Sequence, residues 1–360
     1  MEYRTPAAAP QYNNDSSLPA NLRARSRLAE LPVIVSLFCG AGGLDLGFKR
    51  EGFKIGVAFD LSPAAIKTHK RNFRQSAAHV ADLTKLGPSG VLRHVLDAIP
   101  AGARIGIIGG PPCQGFSRAN VTRESSDPRN ALPKLYVRIV RKLQQSYRVD
   151  FVVFENVLGM RDTKHAAEYA GLLQGLRRLG LHVAEQELCA LDFGVPQMRR
   201  RIILAAMAKG VTVPNLQPRR RRGTKNVREA IGALAAPAFF ARGLTPEEIP
   251  VHPNHWTMNP KSPRFKGKKS SHTARSFKQL SWDKPSPTIA FGHREIHIHP
   301  DGRRRLSIFE AMLLQGFPES FVLEGNLSEQ VEQVSNAVPP PLARSVASAF
   351  RRAFETRMKG

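Results

Sequence analysis

Short apolar runs rich in β-branched residues recur along the first two-thirds of the chain, each bounded by glycines or turn residues. They are Pro32 to Leu37 (PVIVSL), Gly56 to Phe59 (GVAF), Arg104 to Ile108 (RIGII), Phe151 to Phe154 (FVVF) and Ile202 to Ala206. Runs of this length and composition read as buried strands. The intervening segments carry apolar residues at helical spacing. Leu44 and Phe48 share one face after the first run, and Leu135, Ile139 and Leu143 mark a helix from about Pro133 to Gln145. Near the end of the chain Leu342, Val346, Phe350 and Phe354 fall one turn apart, a stripe expected to dock the last helix back onto the first domain. Strands alternating with helices predict an α/β fold around a mostly parallel sheet. Phe38 to Gly40, Pro111 to Cys113 and Glu155-Asn156 each stand at the carboxyl end of a strand, the edge where such sheets bind ligands.

Other stretches lack periodicity. Residues 1–30, rich in Ala, Pro, Asn, Ser and Arg, read as a flexible arm whose Arg23, Arg25 and Arg27 could touch phosphate. Arg118 to Asn130 is polar, sits beside a candidate nucleophile and reads as a candidate mobile lid. Composition shifts after Lys209 to Pro, Lys, Arg, His and Ser, with a basic run at Arg219 to Arg222, so 210–303 is set apart from a first domain of 31–209 plus 304–360.

Charge narrows the choice of partners. The 360 residues contain 54 Lys+Arg against 29 Asp+Glu, a net +25, and 42% of them are hydrophobic. This is a globular composition with an electrostatic preference for a polyanion such as nucleic acid. Three cysteines, Cys39, Cys113 and Cys189, are too few and too scattered for a disulfide framework or a cysteine zinc site. With no 18-residue apolar run and no signal-peptide core, an intracellular, soluble, membrane-free protein is expected.

The candidate chemistry centres on Gly109 to Ser117, GGPPCQGFS, which follows a strand and presents Cys113 on a loop stiffened by two prolines. The turn after the first strand, FCGAGGLDLGF, is a close-approach site for a nucleotide-like ligand and by itself would fit a dinucleotide as well. Asp60, ending the second strand, suits a ribose diol. In Gln197-Met-Arg-Arg-Arg201, strand alternation puts Arg199 and Arg201 on one side and Arg200 on the other. His252, His255, His293, His297 and His299 invite a metal reading, but neither cysteine nor acid completes a ligand spacing, and no metal is expected.

GGPPCQGFS resembles the catalytic motif of the DNA (cytosine-5) methyltransferases, and further motifs of that family follow in its order from Phe38 to Asn336. The resemblance implies a Rossmann-like class I methyltransferase fold, with 210–303 as a smaller, irregular target-recognition domain. It implies S-adenosylmethionine as methyl donor, S-adenosylhomocysteine as product, and carbon 5 of a flipped-out cytosine in double-stranded DNA as acceptor. Cys113 would be the nucleophile, Glu155 the acid at ring nitrogen 3, Arg201 the partner of the base carbonyl, and Arg199 a residue ordering the site. Phe38, Gly40, Gly42, Gly43, Asp60, Leu61, Asp82, Leu83, Pro112 and Asn336 would hold the cofactor, with Asp82 accepting from the adenine amino group. Gln114, Ser117, Arg129, Asn156 and Gln197 would meet the target DNA. Four positions depart from the family pattern: Asp60 replaces glutamate, Phe309 and Leu313 replace arginines, and Ser335 replaces glycine.

The compact single-chain layout suggests a prokaryotic source, and with it a nucleoid-associated cytoplasmic setting; a monomer is expected, with a cognate restriction endonuclease as a functional partner that need not touch it. Three rival functions follow. The tRNA-modifying branch of the family is disfavoured by Gln114-Gly-Phe-Ser, which looks more like the DNA enzymes. A binding protein without catalysis is disfavoured by Cys113, Glu155 and Arg201. A nicotinamide-dependent oxidoreductase rests on the glycine-rich turn alone.

Overall fold

Successive strand side chains point to opposite faces of a sheet, and here both faces are buried. The computed structural model describes residues 31–112, 131–217, 225–261, 265, 278–289 and 297–359. The arm 1–30, the lid stretch 118–130, Cys113, Gln114, Ser117, Arg129, His293 and the run Arg219 to Arg222 lie outside the described residues.

Among the described residues the central sheet is seven-stranded. It contains β1 (Val33–Leu37), β2 (Ile55–Asp60), β3 (Ala77–Val80), β4 (Arg104–Gly109), β5 (Arg148–Asn156), β6 (Leu181–Cys189) and β8 (Arg200–Ala208), in the order β3-β2-β1-β4-β5-β8-β6. Pairings from β3 across to β5 are parallel, and β8 runs antiparallel to both β5 and β6. Order reverses between β1 and β4, so the carboxyl ends of these two strands flank a crevice.

On one face Val35, Val57, Ile107, Val152 and Leu204 pack against α3 (Leu83–Ala98), α4 (Leu132–Leu143) and α5 (Ala166–Arg178). On the other, Ile34, Ile108, Phe151, Val153 and Ile203 meet α1 (Gly43–Arg50) and the C-terminal α9 (Pro340–Lys359). Phe48 stacks on Phe151 at 5.9 Å and Phe350 sits 4.6 Å from the same ring. The stripe Leu342, Val346, Phe350 and Phe354 is buried. At about 2 kcal/mol per buried side chain its gross contribution approaches the net stability of a whole domain, so the last helix is integral to the fold.

Close approach of α1 to α9 needs small residues. A Cβ on Gly43 would fall 2.2 Å from the Val338 carbonyl oxygen, and one on Gly47 2.4 Å from Ala343. The second of these contacts packs α1 on α9; the first brings α1 against the chain just before it.

The segment between β8 and α9 is built from short pieces: α6 (Val227–Ile231), the two-residue strands β9 (Ala238–Phe239) and β10 (Trp256–Thr257), and β11 (Ser286–Pro287), which pairs with β7 (Gln197–Met198). They lean on α7 (Ile308–Leu314) and α8 (Leu327–Asn336). Phe309 is core here. It stacks on His252 at 4.1 Å and meets His255 edge-on, while burial pushes the His252 imidazole down to about 4 and keeps it neutral at pH 7. The position where the resemblance would place an arginine is here an aromatic anchor for the 252–255 turn. Ser335 lies inside α8 with its hydroxyl donating to the Glu332 carbonyl, so this position needs no glycine.

Candidate active site

The carboxyl ends of β1, β2, β4 and β5 and the carboxyl end of α8 enclose one cavity of about 460 Å³. Of the residues singled out from sequence, Phe38, Gly40, Gly43, Asp60, Leu61, Pro112, Glu155, Asn156, Arg199, Arg201 and Asn336 line it. Gly42, Asp82, Leu83 and Gln197 do not. Asp82 serves as the N-cap of α3, accepting from Thr84 N at 3.0 Å and Thr84 Oγ1 at 2.6 Å. Leu83 is buried in the core, and Gln197 lies buried near Gln315.

At one end the chain leaves β1 through a tight turn. Phe38 adopts φ 55, a left-handed conformation costly for a side chain with a Cβ, and Gly40 follows at φ 53. The Asp60 carboxylate holds this turn. Its Oδ2 accepts from Gly40 N and its Oδ1 from Ser62 N, both at 2.8 Å. Burial raises the Asp60 pKa and these two donors oppose the rise. Remaining lone pairs on both oxygens suit hydroxyl donors. Sequence had marked Asp60 as a ligand residue and missed that the same group shapes the turn.

At the other end Glu155 and Arg201 form a buried ion pair, Nε to Oε1 at 2.9 Å. Burial raises the Glu155 pKa, and the guanidinium groups of Arg201 and Arg199 pull against it without cancelling it. Alternation holds as expected: Arg199 and Arg201 are buried while Arg200 is exposed and pairs with Glu187. Arg199 donates through Nη2 to the Ser335 carbonyl at 2.8 Å, tying the strand to α8. Asn156 lines the cavity and donates to the Pro111 carbonyl at 3.2 Å, so it braces the strand end that leads to Pro112.

Gly110 makes this bracing possible. A Cβ there would lie 2.5 Å from Glu155 Oε2. Gly110→Ala is expected to push the carboxyl aside and lower the turnover rate by about a hundredfold, with cofactor affinity unchanged; steady-state kinetics with a separate binding isotherm distinguishes the two.

Each described histidine of the His-rich region has a local partner. His255 meets Ser307 Oγ at 2.9 Å and the Ala235 carbonyl at 2.8 Å, His297 the Thr288 carbonyl, and His299 Asp301 at 3.0 Å. No group of three or more His, Cys, Asp or Glu among the described residues could hold a metal ion.

The family model for C-5 cytosine-specific DNA methylase matches residues 33–352. The chain belongs to this family. As a member of the C-5 cytosine-specific DNA methylases it is a DNA (cytosine-5) methyltransferase, and the family implies use of S-adenosylmethionine. The chain is 32% identical over 338 residues to the Type II methyltransferase M1.HphI of Haemophilus parahaemolyticus, covering 88% of this chain and 85% of that one. It is 31% identical to the Type II methyltransferase M.MthTI of Methanothermobacter thermautotrophicus, over 89% of this chain and 98% of that one. A solved prophage-encoded protein of E. coli superposes with a TM-score of 0.72 at 24% identity, covering 91% of this chain and 100% of that one, which bears on the fold alone. The methylase's sheet is accordingly α/β with a mostly parallel core. No helix among the described residues is long and apolar enough to cross a membrane.

Proposed function

We propose that this methylase transfers a methyl group from S-adenosylmethionine to carbon 5 of a cytosine flipped out of a specific double-stranded DNA sequence, through a covalent Cys113 intermediate. The observation that carries this reading is that one cavity joins the glycine-rich turn held by Asp60 to the buried Glu155–Arg201 pair, with Pro112, the residue before Cys113, in its wall. The cavity fits the cofactor: its volume is about 460 Å³, and Phe38, Gly40, Gly43, Asp60, Leu61 and Asn336 line the end assigned to it.

Carbon 5 of cytosine is a weak nucleophile, and addition to carbon 6 converts the ring into an enamine. The Cys113 thiolate forms the sulfur–carbon bond at carbon 6 while the 5,6 π pair shifts to the 4,5 bond and the carbon 4–nitrogen 3 π pair moves onto nitrogen 3. Glu155, in its acid form, gives its proton to ring nitrogen 3 and neutralises the developing charge. Arg201 donates to the base carbonyl, and Arg199 holds strand and helix in register. The bound cofactor supplies an electrophilic methyl carbon to carbon 5. After methylation ring nitrogen 3 returns its proton to the Glu155 carboxylate, a base, for which we assign water, takes the carbon 5 proton, and the electron pair left behind forms the 5,6 bond and expels the Cys113 thiolate, which restores the aromatic ring.

A stacked base is out of reach of this pocket, so the nucleotide leaves the duplex at a cost of a few kcal/mol. Gln114, Ser117, Arg129, Asn156 and Gln197 are the residues we assign to the target side, and 210–303 to sequence recognition. The net charge of +25 supports phosphate contact. Type II names among the relatives favour a restriction-modification setting with a cognate endonuclease.

Expression in a methylation-free host followed by bisulfite mapping tests the reading. The expected result is 5-methylcytosine at one short DNA sequence. Unmodified DNA together with methylated tRNA would assign the chain to RNA instead.

A further inference from the structure

A second cavity, of about 620 Å³, opens at the other edge of the sheet. Its wall is built where α1 and α2 (Pro63–Asn72) end and where β2 and β3 begin. It therefore lies at the amino end of β2, whose carboxyl end carries Asp60 in the cofactor cavity; from Lys54 to Asp60 the strand runs for about 20 Å. Lys49, Lys54, Arg71 and Arg74 line the groove, all four are exposed, and no Asp or Glu stands among its described lining residues.

Two of these cations are already engaged. Lys49 and Arg71 occupy the last turns of α1 and α2, where positive charge complements the helix dipole. Lys49 Nζ donates to the Asn72 carbonyl at 3.0 Å and stands over the Phe73 ring, and Arg71 pairs with Glu324 at 2.6 Å. Lys54 and Arg74 differ. They lie outside the helices, just before β2 and just after α2, and neither has an acidic partner among the described residues. Like charges gathered around one groove repel one another and draw in an anion. The described chain also begins here: a Cβ on Gly52, in the groove wall, would lie 3.7 Å from Leu31 Cδ1. Arg23, Arg25 and Arg27 precede Leu31 by four to eight residues, at most about 28 Å of extended chain, so their charge is within reach of the groove.

We propose that this groove is a second, sequence-independent contact for the phosphate backbone of duplex DNA, with Lys54 and Arg74 as its principal phosphate ligands. The inference rests on duplex DNA being the substrate, as proposed above, and adds a surface for it away from the chemistry. The cations are exposed around a rim instead of converging from buried positions, which suits the solvated, repeating charge of a backbone better than one compact anion. A straight duplex seated with its flipped base at the carboxyl edge of the sheet cannot also lie in a groove at the amino edge. The groove therefore holds a different stretch of a long DNA molecule and keeps the enzyme on DNA between target sites.

Salt-dependent binding of the full chain to a poly(dA)·poly(dT) duplex, which contains no cytosine and hence no target, tests the groove. The double variant Lys54→Ala/Arg74→Ala is expected to lower the slope of log affinity against log salt by about two, since each phosphate contact contributes about 0.9. A control, Arg177→Ala/Arg178→Ala, removes the same charge from the exposed end of α5 and should leave the slope within about half a unit of the unaltered value. Transfer to a target-bearing duplex of about 20 base pairs should be unchanged by the groove variant, whereas transfer to a plasmid of several kilobases at equal site concentration should fall about fivefold. An unchanged slope in the groove variant, or the same fall in both variants, would show that net charge and not this groove holds the DNA, and overturns the proposal. Failure of the unaltered chain to methylate any duplex DNA overturns the substrate reading itself, a different outcome from loss of the groove contact.

Discussion

Replacing Cys113 by serine is expected to lower methyl transfer by at least about four orders of magnitude while cofactor affinity stays within about twofold. A thiol of ordinary pKa about 8.5 is a few per cent ionised at neutral pH, and neighbouring positive charge raises that fraction; a serine hydroxyl offers almost no alkoxide under the same conditions. Arg199 and Arg201 supply positive charge in the cavity wall that includes Pro112. The residues lining the cofactor end belong to other parts of the chain, so binding and chemistry should separate cleanly. DNA carrying 5-fluorocytosine at the target position provides a direct readout, because fluorine cannot leave as a proton does and the adduct persists. A denaturation-resistant complex with the unaltered chain and none with the serine variant is the expected pair of results. Retention of even a tenth of the activity by Cys113→Ser would exclude a covalent route.

The parts of this site that were legible in the sequence are those fixed by short-range periodicity. Strand ends at Phe38, Asp60, Pro111 and Glu155 could be located because each follows an apolar run bounded by turn residues. The burial of Arg199 and Arg201, opposite an exposed Arg200, followed from strand alternation alone. What escaped notice depends on contacts distant along the chain. Strand β6 is a sheet edge with a half-buried pattern and polar residues throughout, so it carries no apolar run to announce it. Asn72 bonds both the amide and the carbonyl of Val322, across 250 residues, and Thr68 bonds Gln333 across 265. These clasps from α2 (Pro63–Asn72) bring α8, with Glu332 and Asn336, over the cavity, and nothing local in either segment signals them. Asp82 shows the reverse case. Its motif drew attention to a ligand role, whereas Asp-Leu-Thr is equally a helix N-cap, and in the fold its Oδ1 serves Thr84.

Glu155→Gln is expected to slow methyl transfer by about a hundredfold or more and to leave cofactor affinity nearly unchanged, because a general acid contributes on that scale and glutamine has no proton to transfer. The pH profile carries more information than the rate. Burial raises the Glu155 pKa and favours the acid form that the chemistry needs, so transfer should fall as pH rises through that elevated value, and the variant should lose this high-pH limb. Stability supplies an independent check of sign. A carboxyl whose folded pKa lies above its unfolded one binds more protons in the native state, so it lowers stability as pH rises through the interval between the two values. Glutamine abolishes that dependence while its side-chain oxygen can still accept from Arg201 Nε, which limits the penalty of leaving the buried guanidinium without a partner. Thermal melts of the two proteins should therefore converge at low pH, with the variant gaining on the unaltered chain as pH increases. Should cofactor affinity and transfer rate instead fall together, Glu155 would be a structural strut for Arg201, and the proton at ring nitrogen 3 would need another source.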